Sequence, residues 1–162
     1  MGRKSTKADK NRYQLAREAA GFTREAAAEA TRLSVTRIVR IENGSITPDP
    51  YDVLTMSRAY KAPSLHNYYC AKVCSLGKKY IDEVTVTELS QVVMGVLDAI
   101  NNLETKRSGL IRLTADGKIS AAEAREFYEI LGELDRISDL TDALKLWNET
   151  MVAKGLMPPD GH

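Results

Sequence analysis

Histidine, cysteine and tryptophan are scarce in this chain of 162 residues, which holds two, two and one of them. The scarcity limits its chemistry. His66 and His162 are the only histidines, no Ser/His/Asp or Cys/His arrangement accompanies them, and no glycine-rich phosphate loop occurs. The sequence therefore offers no catalytic constellation and reads as a non-enzyme. Cys70 and Cys74 are spaced to share one helical face. With His66 one turn earlier they supply at best three ligands, too few to complete a tetrahedral zinc site, so neither a metal nor a cofactor is expected. A cytosolic disulfide is not expected either, and the thiols are read as buried or half-buried. No apolar run approaches the roughly 20 residues that span a bilayer. The polar segment Met1–Lys10 lacks the apolar stretch of a secretory signal. These absences lead to the expectation of a cytoplasmic protein with no membrane partner.

What is present is ordinary hydrophobic content, 43%, enough for the core of one full domain or two small ones. The formal charge of +1 conceals a division near Tyr69. Residues 1–69 carry 12 Lys/Arg against 7 Asp/Glu, a net +5, and residues 70–162 carry 11 against 15, a net −4. A basic first half suits a polyanion, and an acidic second half argues against a chain that coats nucleic acid along its whole length.

Residues 1–10, "MGRKSTKADK", are basic and without apolar periodicity, and read as a loose arm. From Asn11 to about Ala62 the helical signals are short. "NRYQLAREAA" stops at Gly21, Thr23 caps "REAAAEAT", Ser34 caps "VTRIVRIE" before Asn43-Gly44, and Asp49-Pro50 opens "PYDVLTMSRAYK". A fifth helix is expected from about Ser64 to Gly77. No segment alternates as a strand does.

On the third of these helices, counting from the Ser34 cap, Leu33, Ile38 and Ile41 face inward. Val35, Thr36, Arg37, Val39 and Arg40 are left on the outer surface. Exposed valines between arginines suit a DNA major groove, where apolar groups meet thymine methyls and a guanidinium reaches guanine O6 and N7.

The stretch "GFTREAAAEATRLSVTRIVRIENG", Gly21 to Gly44, resembles the helix-turn-helix of the XRE family, which includes the Cro and lambda-type phage repressors, and the likeness extends from about Asn11 to Pro63. It implies a five-helix bundle over residues 11–69 that binds double-stranded DNA. It also implies residue roles. Ser34, Val35, Thr36 and Arg40 would meet base edges, Arg37 and Arg24 phosphates, and Asn43 the sugar-phosphate chain. Arg17 and Glu42 match a family ion pair clamping the first helix to the recognition helix, and Ala28 sits where the two motif helices cross. Three residues depart from the pattern: Arg32 stands where the turn usually has Gly, and Ala27 and Thr31 replace larger apolar residues. A looser turn is the expected consequence.

Beyond a linker or helix extension at 70–84, Leu89, Val93, Val96, Ile100, Leu103 and Leu110 follow an a/d repeat. A second stripe at steps of three or four runs from Ala124 through Phe127, Leu131, Leu134, Ile137, Leu140, Leu144 and Trp147 to Met151. Residues 85–162 are thus expected to form a long antiparallel helical hairpin that dimerises or takes an effector. The joining segment "RLTADGKISAAE" overlays the second half of a calcium-binding loop, but Arg112 and Thr114 stand where carboxylates are needed. It reads as a Gly turn with Ser120 and Glu123 forming a capping box.

The expected fold is all-α. The expected function is a sequence-specific transcriptional regulator, acting as a repressor, that binds a palindromic operator as a homodimer through its C-terminal helices. The alternative is an antitoxin-like or phage-encoded interaction protein. Its C-terminal helices would bind a protein partner or a small-molecule effector, with DNA binding serving autoregulation.

Overall fold

A computed structural model describes residues 10–85 and 88–159. All regular structure among these residues is helical. The arm expected at residues 1–10 lies outside them except for Lys10, and so does His162. The chain divides into two compact units. One runs to Glu83 and also takes the chain from Asn148 onward, and the other is Val84–Trp147.

The first unit begins with five helices: α1 (Arg12–Ala19), α2 (Arg24–Thr31), α3 (Val35–Glu42), α4 (Pro50–Tyr60) and α5 (Ser64–Lys72). Four have side-chain N-caps, and each cap is the residue type that favours that role. Asn11 accepts from the Gln14 amide, Thr23 from Ala26, Ser34 from Arg37 and Asp49 from Asp52. Pro50 occupies the first position of α4, where no amide donor is needed. Gly44 ends α3 at φ +70°, with open space around it, so backbone conformation and not crowding calls for glycine there.

The core of this unit joins Tyr13 of α1, Ala27 of α2, Ile38 and Ile41 of α3, Val53, Met56 and Tyr60 of α4, and Leu65 of α5. Ala27 is completely buried, while Ala28 is half-buried against the same cluster. The small side chain at position 27 thus occupies a closely packed interior site.

Residues 70–84, expected as a linker or helix extension, hold the end of α5 and a one-turn helix α6 (Gly77–Tyr80). A Cβ at position 77 would stand 2.2 Å from the Cys70 carbonyl oxygen, so glycine permits α6 to lie against α5. Cys70 and Cys74 are free and half-buried, and the Cys74 sulfur accepts from the Gly77 amide.

The second unit holds α7 (Leu89–Leu113) and most of α8 (Ala124–Ala153). Here they run antiparallel. Asp98 pairs with Arg136, Lys106 donates to the Glu129 carbonyl, and Arg112 pairs with Glu126. At Gly95 a Cβ would come within 2.9 Å of a Leu140 methyl, so the missing side chain lets the helices approach. The turn between them has the expected glycine and half of the expected capping box, because the Glu123 amide donates to the Ser120 carbonyl and not to its hydroxyl. Gly117 has φ +71°, Asp116 accepts from the Lys118 amide, and the Glu123 carboxylate takes both the amide and the hydroxyl of Ser120. Regular α8 starts at Ala124, a few residues later than expected.

The a/d repeat read from the sequence is divided between two faces. Val92, Ala99 and Leu113 are buried, with Val96, Leu103 and Leu110 half-buried beside them, whereas Val93 and Ile100 are exposed.

Candidate nucleic-acid interface

α2, the turn and α3 form two helices of eight residues joined at a residue with left-handed backbone. Arg32 holds φ 59° and ψ 23° there. Thr31, one of the residues from which a looser turn is expected, bonds across it. Buried, its hydroxyl donates to the Ala27 carbonyl at 2.7 Å and accepts from the Leu33 amide at 3.3 Å. A larger apolar side chain would fill the space but bond neither group.

The C-terminal end of α3 carries Glu42, whose side chain is buried between two arginines. Arg17 of α1 donates from Nε to Glu42 Oε1 at 2.5 Å and from Nη2 to Oε2 at 3.1 Å, the bidentate geometry that makes such pairs strong. Arg17 Nη1 also holds the Phe22 carbonyl at 2.7 Å. Burial acts to lower the Arg17 pKa, yet the Glu42 hydrogen bond and charge hold it above its usual value. The second arginine is Arg24 at the first position of α2, which donates to Glu42 Oε2 at 2.8 Å. Its side chain remains about a third exposed. Above this triad Tyr60 is pushed up to about 12, chiefly by burial and then by the Glu42 charge.

The other end of α3 is tied to α4. Arg37, expected at a phosphate, donates from Nε to Asp52 Oδ1 at 2.6 Å, and from Nη2 to Asp52 Oδ2 at 2.7 Å and Asp49 Oδ2 at 2.9 Å. Asp52 is buried, and with Asp49 it forms the capping box that starts α4. The hydrogen bond to Asp52 is the largest cause of the raised Arg37 pKa. Sequence reasoning missed these partners because Asp49 and Asp52 were legible only as a helix start, and nothing in a linear pattern shows that the start abuts α3. Asn11 adds a further tie, its side-chain amide donating to the Ile41 carbonyl at 2.7 Å.

What remains outward on α3 is a short list. Ser34, Val35, Thr36, Arg40 and Asn43 are exposed, while Val39, expected with them, is half-buried. Arg40 and Arg32 have no carboxylate partner among the described residues, in contrast to Arg17, Arg24 and Arg37. The outer face is thus apolar and hydroxylic at its first turn and cationic one turn later.

This geometry agrees with the comparison to protein families, in which residues 14–66 match the family described as "Helix-turn-helix domain". The first unit carries a helix-turn-helix DNA-binding domain. The match covers α2, the turn and α3 with their supporting helices α1 and α4 and the start of α5. No curated protein and no solved structure matches the chain significantly. Within the helix-turn-helix domain α3 is the second helix of the motif, the one that such domains lay in the major groove. Among the described residues no helix is long and apolar enough to cross a membrane.

Proposed function

We propose that this protein is a sequence-specific transcriptional regulator of the kind that the XRE and phage-repressor resemblance implies, a repressor that occupies a palindromic operator as a dimer. In this reading it is a binding protein and not an enzyme.

The observation that carries the proposal is the division of labour on α3. Ion pairs of Arg37 and Glu42 fix it to α1, α2 and α4, while Ser34, Val35, Thr36 and Arg40 stay exposed. A helix held this firmly, with its free guanidinium and its methyl groups outward, is pre-organised to read base edges. Arg40 is the residue assigned to guanine, and Val35 and Thr36 to thymine methyls. Arg24 reaches a phosphate with its exposed edge. Arg37 serves as a clamp.

Fluorescence anisotropy with labelled duplex DNA tests the reading. The expected result is tight binding to a selected sequence, weaker binding to random duplex, and an affinity that drops steeply with added salt as counterions are released. Equal affinity for every duplex, or no binding at low salt, would overturn it.

A further inference from the structure

The α7–α8 hairpin carries an apolar surface that its own contact does not use. On α7, Val92, Ala99 and Leu113 are buried. Beside them Val93 is 41% exposed, Leu97 51%, Ile100 50% and Ile111 63%. At 3.6 residues per turn this stripe lies about 100° round the helix from the buried one. On α8, Ile130 reaches toward Gly109 of α7, and Glu133 pairs with Lys106. Leu131 and Leu134 directly follow these two residues, so they are displaced from the hairpin contact by the same angle. Because the helices are antiparallel, equal displacement in the same sense puts both stripes on one side of the hairpin. The Asp98–Arg136 pair sets the axial level, and it places Leu134 beside Ile100.

We propose that this face docks on the same face of a second copy of the chain, closing two hairpins into a four-helix bundle. The inference deepens the dimer of the proposed function and depends on that dimer alone, not on DNA binding. Each helix of such a bundle has two neighbours and needs two apolar stripes at roughly a right angle, which is the pattern along α7 and, on α8, at Leu131 and Leu134. Charge singles out a second copy as the occupant. The α7 stripe is interrupted by Glu104 and Arg107, which are both largely exposed and pair with each other along the helix at 3.3 Å, a pair that can be exchanged for one with the second copy. With the two α7 helices antiparallel about a two-fold axis between residues 105 and 106, Glu104 meets Arg107 of the second copy, and Ile100 meets Ile111. An interface between identical faces requires this self-complementary order.

Sedimentation of the full chain at tens of micromolar tests the proposal. Wild type is expected at twice the 17.9 kDa chain mass. Leu97→Glu and Ile100→Glu are expected near the single-chain mass with unchanged helical circular dichroism, since both side chains are already exposed in one chain. Met94→Glu and Tyr128→Glu serve as controls. These side chains are 65% and 69% exposed but lie on the far sides of their helices from the hairpin contact, and the dimer should survive both changes. Glu104→Arg or Arg107→Glu alone should weaken the dimer about tenfold, and the two together should restore it. A wild type that sediments at the single-chain mass would overturn the proposal, and so would a dimer that persists through Leu97→Glu and Ile100→Glu. If either variant loses its helical signal, Ile111→Glu provides the same test elsewhere on the stripe, and the charge swap tests it without touching an apolar residue. Duplex binding by the same samples separates the two readings: a dimer without DNA affinity contradicts the DNA binding of the proposed function and leaves this inference standing, whereas a DNA-binding monomer contradicts this inference and the dimer of the proposed function but leaves its DNA binding standing.

Discussion

Arg37 and Arg40 stand one turn apart on α3 and differ in what surrounds them. Arg37 lies against Asp49 and Asp52, whereas Arg40 faces outward with no carboxylate nearby among the described residues. A lost phosphate contact lowers the salt slope of DNA binding by about one. Arg37→Ala should leave that slope unchanged and reduce stability to denaturant, because its removal strips the buried Asp52 of its cation. A shallower slope at unchanged stability would show that Arg37 leaves α4 for the DNA. Arg32 supports a second expectation at this scale. A non-glycine residue in left-handed backbone costs about 1 kcal/mol, so Arg32→Gly should raise the denaturation midpoint modestly without altering the circular dichroism spectrum. A lower midpoint would mean that the arginine side chain stabilises the turn.

At the scale of elements, the attachment of α3 to α1 rests on Glu42. Removing one partner of a buried ion pair costs about 3–5 kcal/mol, so Glu42→Ala should destabilise the first unit strongly. Combining it with Arg17→Ala should cost less than the sum of the separate changes, and strict additivity in denaturant melts would mean the pair is not coupled. The start of α8 should respond to pH. Its capping carboxylate, Glu123, has a lowered pKa, chiefly through the hydrogen bond from the Ser120 hydroxyl and then the one from its amide. A lowered folded-state pKa gives a contribution present above the ordinary carboxylate range and lost as pH falls through the folded value. Thermal melts should therefore show acid sensitivity that Glu123→Gln diminishes, and identical pH profiles for the two proteins would contradict the cap. The helices of the first unit were legible because their caps are local: Thr23, Ser34 and Asp49 each bond the amide three residues on. The Arg17–Glu42 pair was legible only through family resemblance. The α7 seam was misread for a physical reason. A single a/d repeat describes a helix with one neighbour, and α7 spreads its apolar residues over two faces, so Val93 and Ile100 belong to a different stripe from Val96 and Leu103.

For the whole molecule, the basic first half and acidic second half acquire distinct assignments, since the helix-turn-helix domain lies in the first and the hairpin in the second. Intramolecular pairs take up Arg17, Arg24 and Arg37, which concentrates sequence reading on Arg40 and its neighbours Val35 and Thr36. If two copies act together, half-sites should be centred about 34–36 Å apart, one turn of DNA. The most direct measurement is a binding-site selection from random duplexes with the wild type, Arg40→Ala and Arg24→Ala. The wild type should select a palindrome with a guanine in each half-site. Arg40→Ala should lose about 1–3 kcal/mol at that palindrome and become indifferent at one base pair of each half. Arg24→Ala should weaken operator and random DNA by similar factors, as loss of a phosphate contact does. An unchanged base preference for Arg40→Ala, or no sequence selected by the wild type, would contradict the claim that the outward face of α3 reads DNA.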